Sequence, residues 1–146
     1  MHPGSIKNGD IIILKNRPCK VTDIIRKCIG IYRRNYHCVT GVDLITGKKY
    51  EDIFVNGYLA RDRKIEVPKM FEEIFFIADI SGDGTMDLMN VNSYEYNNNM
   101  KLDLDDIIGK EIKKLFENGK FIDVRILFII FNNIKEYKIV DYTVES

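Results

Sequence analysis

Short apolar runs bounded by turn residues are the feature that most limits what this chain of 146 residues can fold into. Such runs, rich in β-branched or aromatic residues, fill the first half at Ile11–Leu14, Cys19–Ile25, Tyr36–Leu44 and Tyr50–Val55. Runs of this length between Gly, Pro and Asn predict β-strands rather than helices. The first half is therefore expected to form a small β-barrel.

The second half repeats this pattern around a single helix. Strands are expected at Phe71–Ile80, Met86–Val91, Phe121–Phe131 and Ile134–Tyr142, and Asn97–Asn99 is predicted to be a loop tip. Apolar residues between Leu104 and Phe116 repeat at three and four positions, which predicts one amphipathic helix, with Gly119 as a C-terminal cap. This order of elements, with strands followed by one helix and two further strands, is that of an oligonucleotide/oligosaccharide-binding (OB) barrel.

Charge divides the chain into the same two halves. The whole chain is neutral, with 22 basic and 22 acidic side chains. Residues 1–66 hold 13 basic and 7 acidic side chains (net +6), whereas residues 67–146 hold 9 and 15 (net −6). The sign changes at Val67-Pro68, and proline is disfavoured inside a central strand. We therefore expect a basic domain at 1–66, suited to a polyanion, and an acidic domain at 67–146.

Several classes of protein are not expected. The longest uncharged apolar run, Ile126–Phe131, is far shorter than the roughly 20 residues of a membrane-spanning helix. The first residues resemble no export signal, and the three cysteines lack a CxxC pair. These features predict a cytoplasmic protein with reduced thiols and no membrane partner.

The segment 26–37 is the most informative stretch for function. It contains Arg26, Lys27, Arg33 and Arg34 and no acidic residue, with Gly30 near its centre and Tyr32 and Tyr36 interleaved. Cations on a loop neutralise phosphates, and aromatic rings stack on bases, so the segment is a candidate RNA contact. The same residues could equally form a solvated hairpin tip that charge keeps soluble.

Metal binding and catalysis have weaker signals. Asp79–Asp87 resembles the start of an EF-hand loop, but the position of the bidentate Glu is Asn90, and a hairpin turn explains the Gly and Asp residues. Cys28, His37 and Cys38 lack the spacing of a structural zinc site. The sequence offers no set of nucleophile, base and orienting partner that would form a catalytic site. We predict no metal, no cofactor and no enzymatic activity.

Several motifs resemble one known family. Leu14–Val21, Gly41–Asp43 and Thr46–Ile53 are similar to the N-terminal domain of the eukaryotic translation initiation factor 5A family, relatives of bacterial elongation factor P. Val67-Pro68 matches its interdomain junction, and Leu104–Phe116 resembles its C-terminal helix. The resemblance implies an N-terminal SH3-like (KOW-type) barrel and a C-terminal OB-fold barrel. It also implies a factor that binds the ribosome, in contact with large-subunit rRNA in the exit-site region and with peptidyl-tRNA, and promotes elongation and termination. We expect a monomer on the ribosome, although the sequence itself is silent on dimerisation.

One position departs from that family. Its members carry a loop lysine that is converted to hypusine, and ungapped counting between Lys20 and Thr46 places that position on Ile31, between Gly30 and Tyr32. Isoleucine has no amine to accept the aminobutyl group, and Lys27 lies four residues earlier. We therefore predict a loop tip at Gly30, Ile31 and Tyr32 that carries no hypusine.

The remaining cations are expected to bind RNA. The predicted contacts are Arg26, Lys27, Arg33, Arg34, Lys48 and Lys49, supported by further basic residues of the first barrel, including Lys15, Arg17 and Lys20. Two alternatives stay open at this point. An unmodified member could occupy the exit site of idle ribosomes as a hibernation factor, or the barrels could serve as an RNA-binding or adaptor module away from the ribosome.

Overall fold

The computed structural model describes residues 6–29, 34–56 and 65–145, with the backbone alone for residues 27–29, 34, 35, 55 and 56. Within these ranges the chain has nine strands and one helix, so the predicted mainly β fold is confirmed. In chain order the elements are β1 (Ile11–Leu14), β2 (Arg17–Ile29), β3 (Arg34–Asp43), β4 (Lys49–Asn56), β5 (Lys69–Ile80), β6 (Thr85–Asn90), β7 (Tyr96–Lys101), α1 (Ile107–Glu117), β8 (Phe121–Phe131) and β9 (Ile134–Glu145). No helix in the described ranges is long and apolar enough to span a membrane.

The chain divides into two compact units. The first comprises Met1–Lys69 together with Ile129–Glu136, and the second comprises Met70–Phe128 together with Tyr137–Ser146. The end of the β8–β9 hairpin therefore belongs to the first unit. The sequence-based division into 1–66 and 67–146 stays a prediction.

The first unit contains a four-stranded sheet in the order β1-β2-β3-β4, with antiparallel neighbours. Strand β1 also contacts β4, so the sheet curls on itself. Alternate side chains point into the curl, as the period of a strand requires. They form a core of Ile6, Ile12, Leu14, Cys19, Val21, Val39, Phe54 and Ile65.

The second unit contains a five-stranded sheet in the order β7-β6-β5-β8-β9. Helix α1 lies between β7 and β8 in the sequence and buries Ile112 against the sheet. The core consists of Phe75, Ile77, Met86, Leu88, Met100, Leu102, Ile112, Ile122, Val124, Ile126 and Phe128.

Helix α1 begins and ends at polar signals. It starts at Ile107, three residues after the apolar repeat begins, because the Asp106 carboxylate accepts the N–H of Ile107 at 2.9 Å and acts as the N-cap. At the other end Gly119 has a φ of +77°, and its N–H donates to the carbonyl of Phe116 at 3.0 Å. The predicted glycine stop is confirmed.

The prediction of a loop tip at Asn97–Asn99 is wrong. These residues lie in β7, where Asn97 pairs with Leu88 and Met100 pairs with Met86. Asparagine is a weak strand former, but pairing with β6 and burial of Met100 in the core outweigh that preference.

Candidate nucleic-acid-binding hairpin

Strands β2 and β3 form a long antiparallel hairpin that carries three of the predicted cations, Arg26, Lys27 and Arg34. The pairing continues to Ile29 opposite Arg34, with Arg26 opposite His37 and Lys27 opposite Tyr36. Arg26, Lys27 and Arg34 are thereby brought to the same end of the hairpin. The predicted tip residues Gly30, Ile31 and Tyr32, together with Arg33, lie outside the described residues, as do the side chains of Lys27 and Arg34.

Arg26 is the predicted RNA contact whose side chain is described at this end of the hairpin. It is exposed, and its Nη2 donates to the carbonyl of Ile6 at 3.3 Å. This bond ties the arginine to the segment before β1. A guanidinium has five N–H donors, so Arg26 retains the capacity to bind a phosphate while it makes this bond.

Lys48 and Lys49 lie at the other end of the same sheet. Both are exposed, Lys48 in the turn between β3 and β4 and Lys49 at the start of β4. Lys49 pairs with Val42 of β3, whereas Arg26 pairs with His37, so these two cations are about 17 Å apart along the strand. Arg34, at the far end of β3, is about 26 Å from Val42. The predicted cations therefore form two groups and not a single patch.

The turn that presents these lysines is organised by Asp43. Its Oδ1 accepts the N–H of Ile45 at 2.8 Å and that of Thr46 at 3.3 Å, and Gly47 adopts a φ of +74°. An aspartate that binds the backbone two and three residues ahead is a common way to start a tight turn. The exposure of Lys48 and Lys49 follows from this local chemistry.

Arg17 differs from the expected RNA contacts. Its Nε donates to Asp43 Oδ2 at 2.6 Å, and its two Nη atoms each donate to a Glu136 carboxylate oxygen at 2.7 Å. The guanidinium also lies 5.5 Å from the centre of the Phe131 ring. All four residues belong to the first unit. The guanidinium of Arg17 therefore binds carboxylates of its own unit, and its contact with RNA stays a prediction.

These bonds change the acidity of both partners. The hydrogen bonds to Glu136, and then those to Asp43, raise the pKa of Arg17 above its ordinary value. Burial of the Asp43 carboxylate acts to raise its pKa, but the bonds from Arg17, Ile45 and Thr46 outweigh burial, and the pKa lies below the ordinary value. Both groups stay charged at neutral pH.

An apolar row that the sequence does not reveal crosses the same sheet. Ile25, Cys38 and Ile53 are cross-strand neighbours on β2, β3 and β4. Ile25 is 49% and Ile53 55% exposed. Side-chain exposure depends on which face the curled sheet turns inward, so the apolar runs themselves gave no signal for this row.

The structure places most residues of the two candidate metal sites. Asp79 lies in β5, one residue before its end, and Asp87 lies in β6. The Asp83 carboxylate between the two strands accepts the N–H of Thr85 at 3.0 Å in a hairpin turn. Among the described residues, no group of three His, Cys, Asp or Glu side chains is arranged to hold a metal ion. Cys19 and Cys38 are free thiols, and the side chain of Cys28 lies outside the described part of the chain.

Comparison with known families agrees with both units. Residues 1–56 match the family model described as translation initiation factor 5A-like, N-terminal. Residues 72–142 match the model described as eukaryotic elongation factor 5A hypusine, DNA-binding OB fold.

Individual relatives extend this match over most of the chain. Eukaryotic translation initiation factor 5A-1 of Arabidopsis thaliana is 30% identical over 124 residues, covering 85% of this chain and 75% of the relative. The tomato (Solanum lycopersicum) protein of the same name is 31% identical over 117 residues, covering 80% and 70%.

Solved structures support the same assignment. A translation initiation factor 5A family protein from Naegleria fowleri is 26% identical with a TM-score of 0.74, covering 97% of this chain and 95% of that one. The Methanococcus jannaschii factor, 20% identical with a TM-score of 0.64, shares the fold. The chain therefore belongs to the translation initiation factor 5A family of translation factors, with an N-terminal SH3-like domain and a C-terminal OB-fold domain.

Proposed function

We propose that this protein is a non-enzymatic, cytoplasmic translation factor that binds the ribosome in the exit-site region, beside peptidyl-tRNA. In this position it promotes elongation and termination. The observation that carries the proposal is the β2–β3 hairpin, which brings Arg26, Lys27 and Arg34 to one end of a basic first unit. Family membership supports the role in translation.

We attribute the contact with large-subunit rRNA and tRNA to several cations on different parts of the sheet, each of which binds backbone phosphate. Arg26 at one end of the sheet and Lys48 and Lys49 at the other are exposed and suited to contact different stretches of backbone. Affinity built from such contacts falls steeply with salt, and it does not depend on any one residue. Loss of a single long cation at position 31 is therefore compatible with binding.

The loop is proposed to act without hypusine. Ile31 occupies the position equivalent to the modified lysine and has no amine for the modification to use. Tyr32, Arg33 and Arg34 follow it directly and have the groups that stack on bases and bind phosphate. The intact mass of the protein from its native source tests this: the mass of the bare chain, after N-terminal processing, is expected. An added aminobutyl group, for example on Lys27, would contradict it.

Co-sedimentation with purified large ribosomal subunits tests the docking itself. We expect the double variant Arg33→Glu/Arg34→Glu to bind about tenfold more weakly or worse, because two phosphate contacts become repulsions. The matched control is Lys110→Glu/Lys114→Glu, which reverses two exposed charges on α1 in the second unit. Circular dichroism establishes that both variants are folded. Unchanged sedimentation of the loop variant would favour an RNA-binding or adaptor module that acts away from the ribosome.

A second function follows from the same substitution at position 31. A factor without the long cation could occupy the exit site of idle ribosomes as a hibernation factor rather than stimulate synthesis. A peptide-bond formation assay on stalling-prone messages separates the two functions. Stimulation by the unmodified protein supports the elongation factor, whereas binding without stimulation supports the hibernation factor.

A further inference from the structure

Four apolar side chains form a continuous row across the sheet of the second unit. Phe76 on β5 pairs with Met89 on β6, and Met89 pairs with Tyr96 on β7. On the other side of Phe76, the ring of Phe121 on β8 lies with its centre 6.2 Å away. We call these four residues the aromatic row.

The aromatic row faces away from the core. Its neighbours along the strands, Phe75, Ile77 and Leu88, are buried, and successive side chains of a strand point to opposite faces. Tyr96 is 74% and Phe121 62% exposed, while Phe76 and Met89 are partly buried. Single exposed apolar residues are ordinary on protein surfaces, but a contiguous row of them is typical of an interaction site.

The rim of the aromatic row is mainly acidic. Asp87 lies two residues before Met89 on the same face of β6, and its cross-strand neighbour is Asp79; both are exposed. Asp123 lies two residues after Phe121 on β8 and is partly exposed. Lys120, directly before Phe121, is the exposed cation nearest to the row along the chain. Glu95, directly before Tyr96, is a further exposed carboxylate. Arg125, four residues after Phe121 on β8, pairs with Glu72 and Asp141, so its charge is matched by carboxylates of its own.

We propose that the aromatic row is the docking surface for a basic polypeptide segment of a partner protein, one that carries arginine interleaved with apolar residues. The apolar side chains would be buried on Phe76 and Met89. The guanidinium groups would lie on the rings of Tyr96 and Phe121 and pair with the carboxylates of the rim.

The charge of the rim decides between protein and RNA as the partner. Aromatic rings also stack on the bases of single-stranded RNA, but sites of that kind track the phosphates with cations. Here the phosphates would meet Asp79, Asp87 and Asp123, within a half of the chain whose net charge is −6. Repulsion from these carboxylates disfavours RNA and favours a basic peptide.

Fluorescence anisotropy with the full chain tests the proposal. The probes are a labelled short peptide that alternates arginine with leucine, the same peptide with glutamate in place of arginine, and a short oligouridine. We expect the arginine peptide alone to bind. Tyr96→Ala and Phe121→Ala should each weaken its binding about tenfold or more, as removal of a central aromatic anchor does at other interfaces. Asp87→Asn/Asp123→Asn should weaken it as well.

Ile107→Ala is the matched control, because Ile107 is an equally exposed apolar residue, at 75%, on α1 rather than on the row. This variant should bind the arginine peptide as the unchanged protein does. Peptide-induced amide shifts in NMR spectra should fall on β5, β6, β7 and β8 around the row. The proposal is overturned if the arginine peptide does not bind, or if it binds the two aromatic variants unchanged. It is equally overturned if these variants lose oligouridine binding instead, which would identify the row as an RNA-stacking surface.

Discussion

The Nε of Arg17 donates to Oδ2 of Asp43 at 2.6 Å, and the Asp43 side chain is fully buried. This pair joins the start of β2 to the end of β3. The Nη1 and Nη2 atoms of the same guanidinium donate to Glu136, in the β8–β9 segment that belongs to the same unit. One arginine thus holds three separate stretches of the chain, and Asp43 in turn holds the turn that presents Lys48 and Lys49.

Arg17→Ala is expected to destabilise the protein by about 2–4 kcal/mol, because it leaves the buried Asp43 carboxylate without its charged partner. The backbone N–H groups of Ile45 and Thr46 remain as partners and keep the loss at this level. The free energy of unfolding in urea, compared between the variant and the unchanged protein, measures this loss of stability. Lys20→Ala, which removes an exposed cation on the same strand, is the control and should change stability by less than about 0.5 kcal/mol. Equal effects of the two substitutions would contradict the structural role of Arg17.

Asp43 predicts a specific acid sensitivity. Its pKa in the folded protein lies below the ordinary value of 3.8. A carboxyl group whose folded pKa is lowered contributes stability that is complete above the unfolded pKa and is lost as the pH falls through the folded pKa. The stability difference between the unchanged protein and Asp43→Asn should therefore be constant from neutral pH down to about 5, and it should shrink below 3.8. Urea unfolding at a series of pH values measures this difference, and a gap that widens on acidification would refute the prediction.

Gly109 occupies a buried position in α1 that has no room for a side chain. A Cβ at this position would collide with the backbone carbonyl of Asp103, which precedes the helix. In an open helix Gly→Ala stabilises by about 1 kcal/mol, but here we expect Gly109→Ala to destabilise by about 1–3 kcal/mol. Gly82→Ala is the control, since nothing lies within 4 Å of its added Cβ. Thermal unfolding of both variants shows whether each substitution raises or lowers stability. A Gly109→Ala protein as stable as its parent would contradict the prediction, because it would show that α1 can shift to make room for the methyl group.

Cys19 should be the less reactive of the two described thiols, Cys19 and Cys38. Burial, and then the nearby Asp43 carboxylate, raise its pKa from 9.0 to about 11, and its side chain is fully buried. At pH 8 we expect iodoacetamide to alkylate Cys19 about a hundredfold more slowly than the partly exposed Cys38, because the thiolate is the reacting form. Peptide mapping by mass spectrometry after timed alkylation distinguishes the sites. Equal labelling in urea is the control, and equal labelling of the folded protein would contradict the burial of Cys19.

Local chemistry made much of the fold predictable. Asn132 and Asn133 have φ values of 48° and 61°, as a tight turn between β8 and β9 requires, and the apolar runs on both sides of that turn were readable as strands. Strand β7 was not readable, because its asparagines are held by pairing with β6 and not by their own preference.

The site was less predictable than the fold. The cations of segment 26–37 and of Lys48 and Lys49 could be identified by charge, but the role of Arg17 could not. Its partners lie 26 and 119 residues away along the chain, and charge composition does not reveal which cations are already paired. The aromatic row was hidden for a related reason: cross-strand register decides which apolar residues meet on the outer face, and the register is set in part by the pairing of strands that are distant in the sequence.

The most direct test of the proposed function is a cryo-electron microscopy map of the protein bound to ribosomes that carry peptidyl-tRNA. We predict density for the first unit in the exit-site region, with the β2–β3 hairpin directed toward the acceptor end of the tRNA and no extended density beyond Ile31. Density for the protein elsewhere on the ribosome, or with the hairpin turned away from the tRNA, would contradict the account.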